Sequence, residues 1–155
     1  MIYVECYSDE ALVKALEVPN KEIIHAGNKG NVCNFLKKKQ KVKGLVDDDP
    51  ESAQPTYIKR LVKRGNDQGI KILIDTASNN LVIVLCPSLE GWIIEVAKEN
   101  KIKLFENYGL SDDPDELHKI INSNLRKFQT LISDLKEKYR SSRLTKLERL
   151  LKERL

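Results

Sequence analysis

Little in this chain suits soft-metal chemistry or membrane insertion. Its 155 residues include only three cysteines, Cys6, Cys33 and Cys86, and two histidines, His25 and His118. The cysteines are isolated and odd in number. A zinc site calls for CxxC-like spacing, and a secreted disulfide scaffold calls for more cysteines, so these read as buried reduced thiols. The histidines stand too far apart to form a local motif and read as structural or exposed. No apolar run reaches membrane-spanning length, and the start Met1–Glu10 lacks a basic segment followed by an apolar one. The expected location is therefore the cytoplasm, with no membrane partner. Internal repeats and low-complexity segments are missing too, which excludes a repeat architecture.

What is present is the composition of a soluble globular protein, 41% apolar and 32% charged. The length suits one domain with a moderate appendage. The net charge of +4 is unevenly spread: from Arg126 to Leu155 there are ten Lys/Arg against four Asp/Glu. Such a basic arm is either a solvated helix face or a surface for a polyanion such as nucleic acid.

Strand and helix signals alternate along the first two thirds. Ile2–Cys6, Glu22–Ala26 and Lys41–Val46 are short β-prone runs, the first without polar alternation, as in a strand buried on both faces. Between them, Ser8 offers an N-cap for a helix through Leu12 and Leu16. The loop Gly27–Asn31 leads into a helix through Val32, Phe35 and Leu36. Gln54–Arg64 has helical spacing, with Gly65 as its stop. Ile70–Ile74 and Leu81–Leu85 are separated by too few residues for a crossover helix, so they pair antiparallel or lie as neighbours. Pro87–Glu90 then opens a helix through Trp92, Ile93 and Val96. The pattern predicts an α/β fold with a mainly parallel sheet flanked by helices. Residues 1–105 form this domain, and residues 106–155 form a linker and a C-terminal helical extension. In the extension, Asp113-Pro114-Asp115-Glu116 starts a helix that runs to Tyr139. Ser141-Ser142 breaks it before Leu144, Leu147, Leu150 and Leu151. Those four leucines need burial, which suggests an interface with a second copy or another protein.

The acidic residues fall where an α/β sheet binds ligands, beyond the carboxyl ends of its strands. Glu5 ends the first strand, and Asp9 lies four residues on, in the following helix. The run Lys43-Gly44-Leu45-Val46-Asp47-Asp48-Asp49-Pro50 carries two apolar residues straight into three carboxylates and a proline. Ser88 and Glu90 follow the strand Leu81–Leu85. Each has a local explanation: Asp9 as a helix-dipole partner, Ser88 as an N-cap, Glu90 as a first-turn acid. Together they would form a cluster that is unfavourable without cations, and oxygen-only ligands point to Mg²⁺ or Mn²⁺.

Val4-Glu5-Cys6-Tyr7-Ser8-Asp9, followed by Val46-Asp47-Asp48-Asp49-Pro50, resembles the Toprim domain of primases, topoisomerases and small nucleases, a Rossmann-like sheet. With Ser88-x-Glu90 added, the chain is most similar to the OLD-family (overcoming lysogenization defect) nucleases. The resemblance covers residues 1 to about 104. Cys6 stands where the family usually has glycine, and no glycine follows Asp49 closely, unlike in primases and topoisomerases. The resemblance implies a nuclease that cleaves phosphodiesters of DNA or RNA, with Glu5, Asp47, Asp49 and Glu90 catalytic. It also implies two ions, one near Glu5, Asp47 and Asp49 and the other near Asp9 and Glu90, with Ser88 in the ligand set. The OLD family uses an assisting lysine, which no motif marks here. The alternative is a non-catalytic or partner-activated subunit that docks through its helical tail, for example on a separately encoded ATPase.

Overall fold

In a computed structural model that describes all 155 residues, the apolar runs assemble into a single six-stranded sheet. The strands are β1 (Ile2–Val4), β2 (Ile23–His25), β3 (Lys43–Asp47), β4 (Val62–Asp67), β5 (Ile70–Asp75) and β6 (Asn80–Leu85), in the order β2-β1-β3-β6-β5-β4. The first four of that order are mutually parallel, and β5 and β4 continue as an antiparallel edge. The helices are α1 (Tyr7–Ala15), α2 (Lys29–Lys37), α3 (Thr56–Lys59), α4 (Leu89–Glu99), α5 (Leu104–Tyr108), α6 (Pro114–Ser123), α7 (Leu125–Glu137) and α8 (Ser142–Lys152). The α/β class, the mainly parallel sheet and the antiparallel pairing of β5 with β6 all match expectation. No helix is long and apolar enough to cross a membrane.

Strand periodicity sorts the core into two layers. Ile2, Val4, Leu45, Ile70, Leu81, Ile83 and Leu85 point to one face and meet Leu12 of α1, Trp92 and Ile93 of α4, and the apolar stripes of α6, α7 and α8. Tyr3, Val46, Val82 and Val84 point to the other face, towards Val32, Cys33 and Leu36 of α2 and Tyr57 of α3. Gly44 lets α2 approach β3 closely, because a Cβ there would lie 3.0 Å from Val32 Cγ1 and 3.1 Å from Leu36 Cδ1.

Several expectations are corrected. The helix expected over Gln54–Arg64 shrinks to α3, and Val62 opens β4 instead. Tyr57 is drawn into the core, its hydroxyl donating to Asp75 Oδ2 at 2.8 Å. Gln68 and Gly69, with φ of 57° and 70°, make the tight turn that returns β4 onto β5. Because β4 is largely exposed, it carries no apolar alternation that would mark it. Cys6, not Ser8, is the N-cap of α1, and Ser8 is buried in its first turn. The linker expected from residue 106 instead begins inside α5 and includes the buried Leu110. The long C-terminal helix divides at Asn124, whose side chain caps α7 by accepting from the Lys127 N–H.

The largest correction concerns the tail. Leu144, Leu147, Leu150 and Leu151 are buried within the chain itself, in the same core cluster as Ile2 and Val4. The stripe expected to need a partner already has one, and the core does not break at residue 105. Five of the ten basic side chains from Arg126 onwards are engaged in ion pairs as well. Lys136 pairs with Glu17 and Glu148, Arg143 with Glu99, Lys146 with Asp67, Arg149 with Glu153 and Lys152 with Glu148.

Candidate metal centre

The strand order reverses between β1 and β3: β2 lies on one side of β1, and the chain then crosses to build β3 on the other. Ligands of open α/β sheets bind at such a switch point, beyond the carboxyl ends of the strands. Glu5 leaves β1 there and Asp47 ends β3, while Val4 pairs in register with Leu45. The Asp47 N–H donates to Glu5 Oε1 at 3.2 Å, which ties the two strand ends together. Asp47 Oδ1 in turn accepts the Leu89 N–H at 3.0 Å, from the first turn of α4.

The three consecutive acids divide their roles. Asp48 turns aside to form a 3.0 Å ion pair with Lys71. Asp49, at a left-handed φ of 44°, turns back, so that Glu5, Asp47 and Asp49 each bring an oxygen within 4.8 Å of the others. Their loop is fastened by the Gln54 amide, which donates to the Asp48 carbonyl at 2.8 Å. Lys29 Nζ supports it by donating to Asp48 O and Gln54 Oε1, both at 3.1 Å.

Asp9 and Glu90 flank this group. Asp9 is only 1% exposed. Its Oδ2 accepts the Cys6 N–H at 3.1 Å and the Cys6 thiol at 3.0 Å, while its Oδ1 is buried with no partner. Glu90 is 7% exposed, and its Oε1 lies 2.8 Å from His118 Nδ1 of α6. Ser88 serves as the N-cap of α4, its Oγ accepting the Gly91 N–H at 3.1 Å.

The electrostatics follow from burying like charges together. Burial, then Asp9, pushes the Glu5 carboxyl up to about 7, against the pull of the Asp47 N–H and the Lys29 ammonium. Burial raises Asp47 strongly, with Asp9, Glu5, Glu90 and Asp49 all adding to it. Burial raises Asp9 too, and the two hydrogen bonds from Cys6 only partly offset this. The Cys6 thiol itself is pushed up to about 12 by burial and by Asp9, so it stays a donor.

A hard divalent cation fits these residues. The donors are all oxygens: those of Glu5, Asp47 and Asp49 converge, and neighbouring Asp9 carries an orphaned buried carboxylate oxygen of the kind a cation would satisfy. Sequence reasoning missed two neighbours. Lys29 opens α2, straight after the loop that follows β2 at the same sheet edge, and that position was the available signal. His118 is 28 residues from Glu90 in sequence, and only the packing of α6 against α4 brings them together. Comparison of the chain with protein-family models, with curated proteins and with solved structures finds no match.

Proposed function

We propose that this chain is a divalent-metal-dependent nuclease of the Toprim kind, hydrolysing phosphodiester bonds in DNA or RNA. The observation that carries the reading is the convergence of Glu5, Asp47 and Asp49 beside the buried, unpartnered Oδ1 of Asp9. Glu5, Asp47 and Asp49 would hold one Mg²⁺ or Mn²⁺ ion, and Asp9 with Glu90 a second. Bound ions of this type lower the pKa of a coordinated water and stabilise a departing oxyanion.

The chain's own residues supply orientation. The Leu89 N–H fixes Asp47 Oδ1, the Asp47 N–H fixes Glu5 Oε1, and Cys6 fixes Asp9 Oδ2. Lys29 adds positive charge beside Glu5 and braces the loop that presents Asp49. Such second contacts hold ligand oxygens in place before any cation arrives. The alternative of a docking subunit rested on the leucine stripe of α8, and the chain's own core covers that stripe.

The test is cleavage of labelled single- and double-stranded DNA and RNA with Mg²⁺, with Mn²⁺ and with EDTA. Metal-dependent cleavage by the wild type, reduced at least about 100-fold in Asp47→Asn, is the expected outcome, because removing a ligand disables the ion that supplies the chemistry. Equal rates in both proteins, or no cleavage of any substrate with either metal, would overturn the proposal.

A further inference from the structure

Beside the acidic cluster lies an open cleft whose chemistry differs from it entirely. Its volume is about 540 Å³, and His25, Asn34, Phe35, Lys38 and Lys39 help to line it. Val4 pairs in register with His25, so the cleft begins one strand across from the residue preceding Glu5. Tyr7, between Glu5 and Asp9 in sequence, stacks on His25 with ring centroids 4.3 Å apart and planes within 15°. Tyr7 is 62% exposed and packs no core, so its ring is open to solvent and free to meet a ligand. On the side of α2, Phe35 is part-exposed and stacks on the buried Tyr3 at 4.9 Å. Lys38 and Lys39 are exposed at the end of the same helix.

We propose that Tyr7 and His25 form a base-stacking platform for single-stranded nucleic acid, with Lys38 and Lys39, at the far end of α2, contacting phosphates further along the strand. The proposal deepens the nuclease reading and rests on it for the substrate class. Rigid aromatic faces beside lysines bind single strands because every unpaired base offers a flat π-face, whereas a duplex keeps those faces stacked internally. The position suits the task. A strand whose phosphodiester lies at Glu5, Asp47 and Asp49 would lay a neighbouring base over Tyr7, two residues from Glu5 along the chain. The platform would thus select single strands or frayed ends.

Binding is measured by fluorescence anisotropy in EDTA, where no cleavage occurs, on the full chain. The probes are a fluorescein-labelled oligothymidylate, an abasic strand of equal length, and a duplex of the same length. The wild type should prefer the oligothymidylate over the abasic strand by roughly 10-fold or more, since one stacked base contributes about 5- to 150-fold. Tyr7→Ala should erase that preference and Tyr7→Phe should retain it; Tyr7 is exposed, so neither change threatens the fold. The double change Lys38→Ala, Lys39→Ala should weaken both strands and flatten the log–log salt dependence by roughly 0.7 per lysine. Equal affinity for base-bearing and abasic strands, tighter binding of the duplex, or an unchanged preference in Tyr7→Ala would overturn the platform. Cleavage and base preference of the wild type, read side by side, separate the two readings. If the metal reading fails, cleavage is missing while the base preference persists; if the platform fails, metal-dependent cleavage persists without any base preference.

Discussion

Asp9 and Asp47 present the hardest charge problem among the single residues, because each is held among other carboxylates and away from water. In the metal-free protein this repulsion works against folding. Asp47→Asn keeps an oxygen to accept the Leu89 N–H but removes a carboxyl that burial and its acidic neighbours make costly to ionise. It should raise the metal-free Tm at pH 8 by about 2–4 °C, which for a chain of this size corresponds to roughly 1 kcal/mol. It should also abolish the Tm rise that Mn²⁺ gives the wild type by mass action. An identical Mn²⁺ shift in both proteins would place the ion elsewhere. The pH dependence follows from Glu5, raised from 4.5 to about 7. Between those values the folded state holds more protons than the unfolded chain, so this group's contribution to metal-free stability falls as pH rises through that window and then levels off. A cation needs the carboxylates ionised. The Mn²⁺-induced Tm rise should therefore be small near pH 5 and still be growing at pH 8, because Asp47 is raised to about 9, and a shift independent of pH would contradict the site.

Between elements, one buried lysine joins β3 to α8. Lys43 is 6% exposed, and its Nζ donates to the carbonyls of Leu150 at 2.7 Å, Leu151 at 3.0 Å and Glu153. These are the carbonyls that the end of a helix leaves without partners, and a cation beside them also meets the negative end of the helix dipole. The same strand carries Asp47 at its other end, so the lysine fixes α8 to the strand that presents the candidate metal ligands. Lys43→Met keeps the apolar stem and removes the donor. Stranding buried carbonyls costs about 1–3 kcal/mol, which for a chain of this length lowers Tm by roughly 3–10 °C. Amide exchange in α8 should accelerate before that in α7. A Tm within about 1 °C of wild type, with α8 exchange unchanged, would show that the bonds contribute nothing.

For the whole molecule, the C-terminal helices are a wall of the core and not an appendage. Burying a leucine contributes about 1.5–3 kcal/mol, so the four leucines of α8 together approach the entire stability of a typical domain, about 5–15 kcal/mol. Deleting residues 142–155 should therefore give a protein without a cooperative thermal transition, prone to aggregate and to bind a hydrophobic dye. A truncated chain that still melts cooperatively within about 3 °C of the full one would show the tail to be dispensable.

The sequence alone determined whatever depends on local pattern. Apolar runs of strand length alternating with helical spacing specified the α/β class, because a short β-prone run between turn signals suits a buried strand and a 3.6-residue stripe suits a helix packed on one face. Asp113-Pro114 and Ser141 set helix starts through capping chemistry that needs only neighbours in the chain. Glu5, Asp47 and Asp49 were legible as candidates because each sits at or just beyond the carboxyl end of a strand, and those ends share an edge in a parallel sheet. The tertiary structure decided everything that depends on what lies across a gap. It made β4 a strand, since its exposed residues carry no alternation and only pairing with β5 defines it. It turned the leucines of α8 inward, because an amphipathic stripe states that it needs burial but not against what. It also brought His118 to Glu90, and it left Asp9 Oδ1 buried with no partner. No local signal carries these last two, because contact and burial depend on groups distant along the chain.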